Sequence, residues 1–223
     1  MRLYVCGTDT DVGKTTVVRM LARALDARGD AVTVVKLVQT GVDRDEPGDA
    51  ALAVAGTRAT ACELARYAKP SDAWTAALAE GRPTVDAEQL AQAVRAIAGT
   101  VLVEGSGGVA VPVDATQTIS TIAARAGLTA LVVVGLRLGC INHALLTQRY
   151  LASLGMPMLG FVPVDRWDAG ATYAEEVERV LRNFGRVLAT VTFDANEPAS
   201  SMPGELLLRT ISGALHDDHV HHD

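Results

Sequence analysis

Residues 7–15 read Gly-Thr-Asp-Thr-Asp-Val-Gly-Lys-Thr, and this stretch decides the fold of the chain. It follows an apolar run at 3–6 and precedes a segment, 16–28, whose apolar residues have helical spacing. A strand, a glycine-containing loop and a helix in this order can bind phosphate groups, because backbone N–H groups converge in the loop and the helix N-terminus carries partial positive charge. Lys14 is expected to contact the outer phosphates, and the Thr15 hydroxyl to bind Mg²⁺.

The glycine spacing departs by one position from the general phosphate-loop pattern. That pattern, G-x-x-x-x-G-K-[ST], requires glycine at the position of Thr8, whereas the first glycine of this stretch is Gly7. The alternative is an ordinary strand-to-helix turn that ends in Gly-Lys-Thr by chance. The apolar run before the loop and the helical segment after it favour the phosphate loop.

Composition limits the classes of protein that the chain can belong to. Its 223 residues, 49% of them hydrophobic, suit one α/β domain with a sizeable core. A net charge of −6 gives no electrostatic support for a nucleic-acid partner, and no stretch is apolar for long enough to predict a membrane partner. The three cysteines are odd in number and scattered, which is typical of a reducing, cytoplasmic location.

Short apolar runs alternate with segments of helical spacing. Strands are predicted at 3–6, 31–35, 101–103, 131–134, 158–162 and 187–191, and helices near 14–28, 86–98, 117–126, 140–154 and 171–183. Runs that are apolar throughout indicate a parallel sheet covered on both faces. We therefore predict a single-domain, doubly wound, mostly parallel α/β sheet flanked by helices, of the P-loop NTPase type, with its ligands at the carboxyl ends of the strands.

Two regions break this alternation. Residues 42–85 begin with a polar loop and continue with Ala-rich stretches broken by Pro70 and Pro83, which we interpret as short helices over the ligand site. The domain is predicted to span residues 1–210. The rest, 211–223, ends in a stretch rich in His and Asp and is expected to be a disordered tail.

Polar side chains follow several predicted strands. Lys36 ends the second strand and would bring a second ammonium group to the phosphate loop, and Glu104 ends the third, where a carboxylate can hold Mg²⁺. The alternative is that both are solvated side chains at strand ends. Asp49 is a further candidate metal ligand, provided that the fold brings it near Thr15. Gly139 precedes a helix whose first N–H groups are free to bind a carboxylate.

In their order along the chain, residues 7–15, 36–41, 104–108 and 135–147 resemble the dethiobiotin synthetase family of biotin biosynthesis. The first stretch is similar to the family's variant phosphate loop, including the early glycine, which makes the departure from the general pattern a point of likeness. The resemblance covers residues 1–165 approximately and is thin beyond them.

The resemblance implies a ligase that joins 7,8-diaminopelargonic acid and CO₂ with ATP, or another nucleoside triphosphate, and Mg²⁺. In the implied route the 7-amino group forms a carbamate, whose oxygen attacks the γ-phosphate to give a carbamic–phosphoric anhydride. The second amine then closes the ureido ring and expels phosphate. The resemblance also implies a homodimer with shared active sites, in which residues 138–143 of one chain bind the substrate carboxylate in the site of the other.

The resemblance also implies site residues, by position in this chain. The catalytic residues are Lys14, Lys36 and Thr10. The nucleotide-binding residues are Asp11, Val12, Gly13, Lys14, Thr15 and Thr16. Outside the resemblance, residues 191–204, which include Asn196 and Pro198, are the alternative loop that we expect to contact the base. The substrate-binding residues are Lys36, Thr40, Ser106, Gly107, Gly108, Leu138, Gly139, Cys140, Asn142 and Tyr173. The metal ligands are Thr15, Asp49 and Glu104.

The chain departs from the family pattern at three places. Leu37 stands where most members have proline, and Ser106 stands where alanine is commoner. Many members have an asparagine near positions 161–165 that contacts adenine, whereas this chain has none between Asn142 and Asn183. A site that lacks a base-specific hydrogen-bonding side chain discriminates weakly between bases, so we predict relaxed nucleotide choice.

Three other readings remain. The first is a partition or septum-positioning switch ATPase, which would have the same sheet. Its phosphate loop typically has a second lysine near its start, where this chain has Thr-Asp-Thr-Asp. The chain also lacks the basic or amphipathic segment that would anchor such a protein to DNA or a membrane. A related amidotransfer synthetase is usually fused to a glutaminase domain, for which 223 residues leave no room. The third is a non-catalytic homologue, which the retained Lys14, Lys36 and Glu104 disfavour.

Overall fold

The computed structural model of this chain describes residues 1–192 and 201–220. The strands are β1 Arg2–Gly7, β2 Val32–Lys36, β3 Gln39–Thr40, β4 Thr60–Glu63, β5 Arg66–Tyr67, β6 Thr100–Gly108, β7 Thr129–Gly135, β8 Met158–Asp165 and β9 Val191–Thr192. The helices are α1 Lys14–Ala27, α2 Asp49–Val54, α3 Ala73–Ala79, α4 Ala87–Ala96, α5 Ile119–Arg125, α6 Cys140–Ser153, α7 Ala171–Leu181 and α8 Ser201–Val220.

Seven strands form one parallel sheet in the order β4-β2-β6-β1-β7-β8-β9, and β3 pairs with β5 in a separate two-stranded sheet. The predicted doubly wound parallel sheet is confirmed. Because β1 lies at the centre, the carboxyl ends of β2, β6, β1, β7 and β8 stand side by side at one edge, where a bound ligand can reach several of them.

Both faces of the sheet are covered, which explains why its strands are apolar throughout. Tyr4 and Cys6 of β1 belong to the core under α3, α4, α5, α6 and α7, whereas Leu3 and Val5 belong to the core under α1, α2 and α8. Successive side chains of a strand point to opposite faces, so a strand that is buried on both sides needs apolar residues at every position.

The structure differs from the prediction at two strands, of which one was predicted too long and the other was not predicted. The run at 187–191 forms a strand only at its end, Val191, because residues 186–188 pair with β8 at Phe161 alone. In addition, β4 extends the sheet beyond β2, although its sequence, Thr-Ala-Cys-Glu, contains no apolar run that would have predicted a strand. Half-exposed edge strands lack the continuous apolar pattern of central ones.

The predicted disordered tail from residue 211 is wrong for its described part. Helix α8 continues to Val220, and Ile211 and Ala214 are buried with Leu207 and Leu208 in the core against α1. These four apolar residues have the spacing of one helix face, so burial against α1 stabilises the helix past the predicted boundary at 210. Residues 221–223 lie outside the described residues.

None of the helices in the described part of the chain combines the length and the apolar character that crossing a bilayer requires. The predicted cytoplasmic location stays a prediction, as does the predicted lack of a nucleic-acid or membrane partner.

Candidate active site

The phosphate loop connects β1 to α1 in a conformation that depends on its two glycines. Gly13 has a φ of +101°, and a Cβ there would lie 2.8 Å from Val164 Cγ1. A Cβ on Gly7 would lie 2.7 Å from Val12 Cγ2 and 2.9 Å from the carbonyl oxygen of Asp9. Both positions therefore exclude any side chain, and the early glycine is required by the path of the chain after β1.

Lys14 lies across this loop. It is buried, and its Nζ donates a hydrogen bond to the carbonyl oxygen of Asp9 over 2.8 Å. Burial, followed by the nearby Lys36 ammonium, lowers the pKa of Lys14 to about 8. At neutral pH the group is therefore charged but short of compensating negative charge, which suits it to receive an anion.

A second buried ammonium group, that of Lys36, lies between two carboxylates. Its Nζ is 2.8 Å from Glu104 Oε1 and 2.5 Å from Asp49 Oδ2. Lys36 and Glu104 are adjacent because they pair in register on β2 and β6, and they are only 3% and 1% exposed. Burial acts to lower the pKa of Lys36, but the Glu104 and Asp49 charges outweigh burial and raise it above its ordinary value.

The two carboxylates also suit a hard divalent cation. Thr15 Oγ1 donates to Glu104 Oε1 over 2.9 Å, so the Thr15 hydroxyl lies beside the acid, and Glu104 Oε2 is buried without a hydrogen-bond partner among the described residues. A buried carboxylate oxygen without a partner is costly unless a ligand satisfies it. Oxygen donors from Thr15, Asp49 and Glu104 match the preference of Mg²⁺ for one or two carboxylates completed by phosphate and water.

One cavity of about 280 Å³ joins these groups. Most of the predicted residues from the first part of the chain line it: Thr10, Asp11, Gly13, Lys14, Thr15, Thr16, Lys36, Thr40, Asp49, Glu104, Ser106 and Gly107. Val12 is buried beneath the loop, and Gly108 pairs with Gly7 in the sheet, so neither of them lines the cavity. The Ser106 hydroxyl donates to the carbonyl oxygen of Val38.

The remaining predicted substrate residues form a separate group at the start of α6. Tyr173 donates from its hydroxyl to the carbonyl oxygen of Arg137 over 3.0 Å and lies 3.7 Å from Cys140 Sγ. Leu138, Gly139 and Asn142 are exposed there. Together these residues do not line the phosphate cavity of their own chain.

The predicted base contacts of Asn196 and Pro198 lie outside the described residues.

Sequence reasoning missed three cavity residues, Gln39, Val42 and Arg166. Arg166 directly follows β8, so its place at the carboxyl end of a predicted strand was a usable signal. Gln39 lies in the stretch 36–41, in which only Lys36 and Thr40 were predicted to bind a ligand.

A phosphate loop at the end of the central strand, with two buried lysines and a buried carboxylate beside it, defines a P-loop nucleoside-triphosphate-binding protein. A family model described as an AAA domain matches residues 1–193. The ATP-dependent dethiobiotin synthetase of Streptomyces coelicolor is 42% identical over 166 residues, which cover 72% of this chain and 69% of that protein. Dethiobiotin synthetase 1 of Escherichia coli is 30% identical over 218 residues, or 92% and 96% of the two chains.

The chain therefore belongs to the dethiobiotin synthetase family. It is an ATP-dependent ligase of biotin synthesis.

Solved structures show the same fold at low identity. The cell division ATPase MinD of Pyrococcus furiosus matches with a TM-score of 0.65 and 18% identity, over 95% of this chain and 98% of that one. A ParA family ATPase of Chlorobium tepidum matches with a TM-score of 0.57 and 12% identity, over 96% of this chain and 98% of that one. At such identities the likeness concerns the sheet and its helices alone, and the switch-ATPase alternative is not favoured over the synthetase.

Proposed function

We propose that this enzyme carboxylates 7,8-diaminopelargonic acid with CO₂ and closes the ureido ring of dethiobiotin, while a nucleoside triphosphate is converted to the diphosphate and phosphate. The observation that carries the proposal is the cavity at the phosphate loop in which Lys14, Lys36, Thr15 and Glu104 meet. Such a cavity can hold a triphosphate and a second anion together, which a simple hydrolase does not need.

The proposed route has three bond-forming steps. The 7-amino nitrogen bonds to the carbon of CO₂ and loses a proton, which gives a carbamate. A carbamate oxygen then bonds to the γ-phosphorus as the bond to the β,γ-bridging oxygen breaks, which gives a carbamic–phosphoric anhydride. The other amine finally bonds to the carbonyl carbon, loses a proton and expels phosphate, and the ring is closed.

Electrostatics explain why two lysines are needed. Carbamate and triphosphate are both anions, and a pair of like charges ~4 Å apart costs about 4 kcal/mol at an effective dielectric constant near 20. Lys14 from the loop and Lys36 from β2 supply positive charge to the same cavity and offset this repulsion. Thr10 lies on the loop beside Gly107, where a Cβ would lie 3.5 Å from Thr10 Oγ1 and 2.8 Å from Val111 Cγ2, so the backbone at Gly107 packs closely on its neighbours.

Thr15, Asp49 and Glu104 would hold Mg²⁺, which when bound supplies positive charge to the oxygens of the β- and γ-phosphates. The lone buried Oε2 of Glu104 supports this assignment. The single ammonium group of Lys36 contacts both carboxylates and so holds them close together.

We also propose a homodimer in which the start of α6 completes the site of the other subunit. Leu138, at the entrance to α6, is 96% exposed, and Leu146, two turns further along, is 58% exposed. Large apolar side chains exposed just before a helix and on it are side chains that an association surface would cover. The helix N-terminus beside Cys140, Asn142 and Tyr173 would then bind the carboxylate tail of the substrate.

The proposed reaction predicts phosphate release that depends on the diamine. Purified protein would be incubated with ATP, Mg²⁺ and bicarbonate, and phosphate would be measured with and without 7,8-diaminopelargonic acid. We expect the diamine to raise the rate at least tenfold, with one dethiobiotin formed for each phosphate. Phosphate release that ignores the diamine but rises with DNA or lipid vesicles would contradict the proposal and favour a switch ATPase.

We propose in addition that the enzyme accepts several nucleoside triphosphates. The end of β8 presents Val164, which is buried, and Asp165, whose carboxylate accepts hydrogen bonds from the N–H groups of Ala169 and Gly170 over 2.8 and 3.1 Å. Strand β8 itself, which the structure describes in full, has no amide side chain to offer a base. We expect the kcat/KM values for ATP, CTP, GTP and UTP to differ by less than about a hundredfold. A larger preference for ATP in the same assay would refute relaxed choice and leave the ligase reaction untouched.

A further inference from the structure

The placement of Asp49 depends on a polar loop, residues 42–48, that joins β3 to α2. Asp49 is the first residue of α2, and most of the loop before it is exposed. An exposed polar loop has little apolar burial to hold it, so its conformation must be maintained by specific hydrogen bonds. The carboxylate of Asp49 reaches Lys36 only if the loop ends at the right place.

Arg66, at the start of β5, supplies these hydrogen bonds. Its Nη1 donates to the carbonyl oxygens of Asp43 and Glu46 over 2.6 and 2.9 Å. The other edge of the guanidinium binds Glu63 at both carboxylate oxygens, with Nε to Oε2 at 2.8 Å and Nη2 to Oε1 at 2.9 Å. Glu63 therefore orients the fork of Arg66, and Arg66 holds the loop; we call this set of contacts the Arg66 clamp.

The loop meets the clamp at Gly48. A Cβ on Gly48 would lie 2.1 Å from Glu63 Oε1 and 2.8 Å from Arg66 Nη2, so the backbone packs directly on the ion pair. The next residue is held from the other side, because Gln39 Oε1 accepts a hydrogen bond from the N–H of Asp49 over 2.8 Å. The backbone at 48–49 is thus fixed by a charged pair and by a buried amide.

We propose that Arg66, oriented by Glu63, is a positioning residue that sets the divalent-cation affinity of the site by fixing where the Asp49 carboxylate lies. Arg66 does not line the phosphate cavity and acts only through the loop. The inference rests on the proposed role of Asp49 as a cation ligand. Residues that orient a metal ligand from behind typically change metal affinity 10–100-fold when they are replaced.

Arg66→Ala is the direct test, with Mn²⁺ as the probe. We expect the Kd of Mn²⁺ for the enzyme saturated with a non-hydrolysable ATP analogue, measured by electron paramagnetic resonance, to rise about tenfold. The half-saturating Mg²⁺ concentration for turnover should rise in parallel. The Kd of the nucleotide measured with EDTA should stay within twofold, because the clamp does not touch the phosphate loop. Arg66→Lys should resemble Arg66→Ala, since an ammonium cannot form the fork.

Arg58→Ala is the matched control for Arg66. The Arg58 guanidinium also bridges a carboxylate and a carbonyl oxygen, at 2.8 and 2.6 Å, but both belong to Asp26. Asp26 lies near the far end of α1 from Lys14, on the order of 18 Å along the helix. We expect Arg58→Ala to leave cation affinity unchanged.

Gly48→Ala disturbs the same backbone without removing a charge. It therefore tests the proposal independently if Arg66→Ala fails to fold. It should weaken Mn²⁺ binding in the same way, whereas Gly213→Ala, where a Cβ meets nothing within 4 Å, should not.

Asp49→Asn separates failure of this inference from failure of the proposed site. If Asp49→Asn weakens Mn²⁺ binding while Arg66→Ala and Gly48→Ala do not, the positioning role of Arg66 is overturned and the proposed cation site stands. If Asp49→Asn has no effect on Mn²⁺ binding, Asp49 is not a ligand and the inference about Arg66 falls with it. Weakened binding in all three variants supports both.

Discussion

Replacing Lys14 with methionine is expected to lower kcat/KM for nucleoside triphosphate about 10³-fold, or roughly 4 kcal/mol of transition-state stabilisation. Lys14 is the loop's own ammonium group, it lines the cavity, and burial followed by the nearby Lys36 ammonium lowers its pKa to about 8. A bound phosphate would stabilise its charged form. The measurement is diamine-dependent phosphate release as a function of nucleotide concentration.

The same variant is expected to be at least as stable as the wild type. Burying the charged form of Lys14 costs free energy at pH 7, so Lys14→Met should raise the free energy of unfolding by about 1–3 kcal/mol. Because the folded-state pKa is lowered, the unfolded chain binds more protons between about pH 8 and 10.5, and wild-type stability should rise with pH in this window. Lys14→Met should lack that rise.

Lys69→Met is the control, since Lys69 is the third lysine of the chain and is exposed. It should change neither activity nor stability. Normal turnover by Lys14→Met would contradict the role of Lys14, and a large loss of stability would contradict our account of its pKa.

Replacing Lys36 with methionine is expected to have the opposite effect on stability, although the chemical change is the same. The substitution leaves the Glu104 carboxylate, 1% exposed, with the Thr15 hydroxyl as its remaining hydrogen-bond donor. Removing one partner of a buried ion pair costs about 3–5 kcal/mol, which urea denaturation would measure. Turnover should fall at least about a hundredfold, because the second ammonium group is lost from the cavity.

The double variant Lys36→Met, Glu104→Gln distinguishes these two effects. Replacing the carboxylate with an amide removes the uncompensated buried charge, so part of the lost stability should return. Activity should not return, since both the ammonium group and the proposed cation ligand are then absent. A Lys36→Met protein that unfolds and turns over like the wild type would show that the buried ion pair has neither role.

Much of the fold was predictable because its signals are local. The apolar runs of β1, β6, β7 and β8 predicted central parallel strands, and the structure confirms them. Strand β4, at the edge of the sheet, was missed because it is half exposed, so its sequence lacks the apolar run that marks a central strand. Helix α8 was not predicted although Leu207, Ile211 and Ala214 form an apolar face, because the His- and Asp-rich residues that follow are typical of a solvated tail.

The candidate site was predictable in part. Lys14 and Thr15 belong to a phosphate-loop motif, and the spacing of its residues along the chain is enough to predict that they bind phosphate and cation. The structure adds only that both line the cavity. The place of Asp49 relative to Thr15 was left open, since it depends on how a polar loop folds back; in the structure both residues line the cavity, and Asp49 contacts Lys36. Arg66 carried no sequence signal, because its contacts with the loop are to backbone carbonyl oxygens, which every residue type presents.

The sequence by itself determined the phosphate loop, the alternation that produces a doubly wound sheet, and the strand ends at which charged residues stand. Each of these depends on neighbours along the chain, and local sterics and burial patterns act at that range. Only the tertiary structure decided that Glu104, 68 residues from Lys36 and 89 from Thr15, contacts both of them. Strand order and register bring these residues together, and both are set by packing across the whole sheet, which no local stretch of sequence encodes.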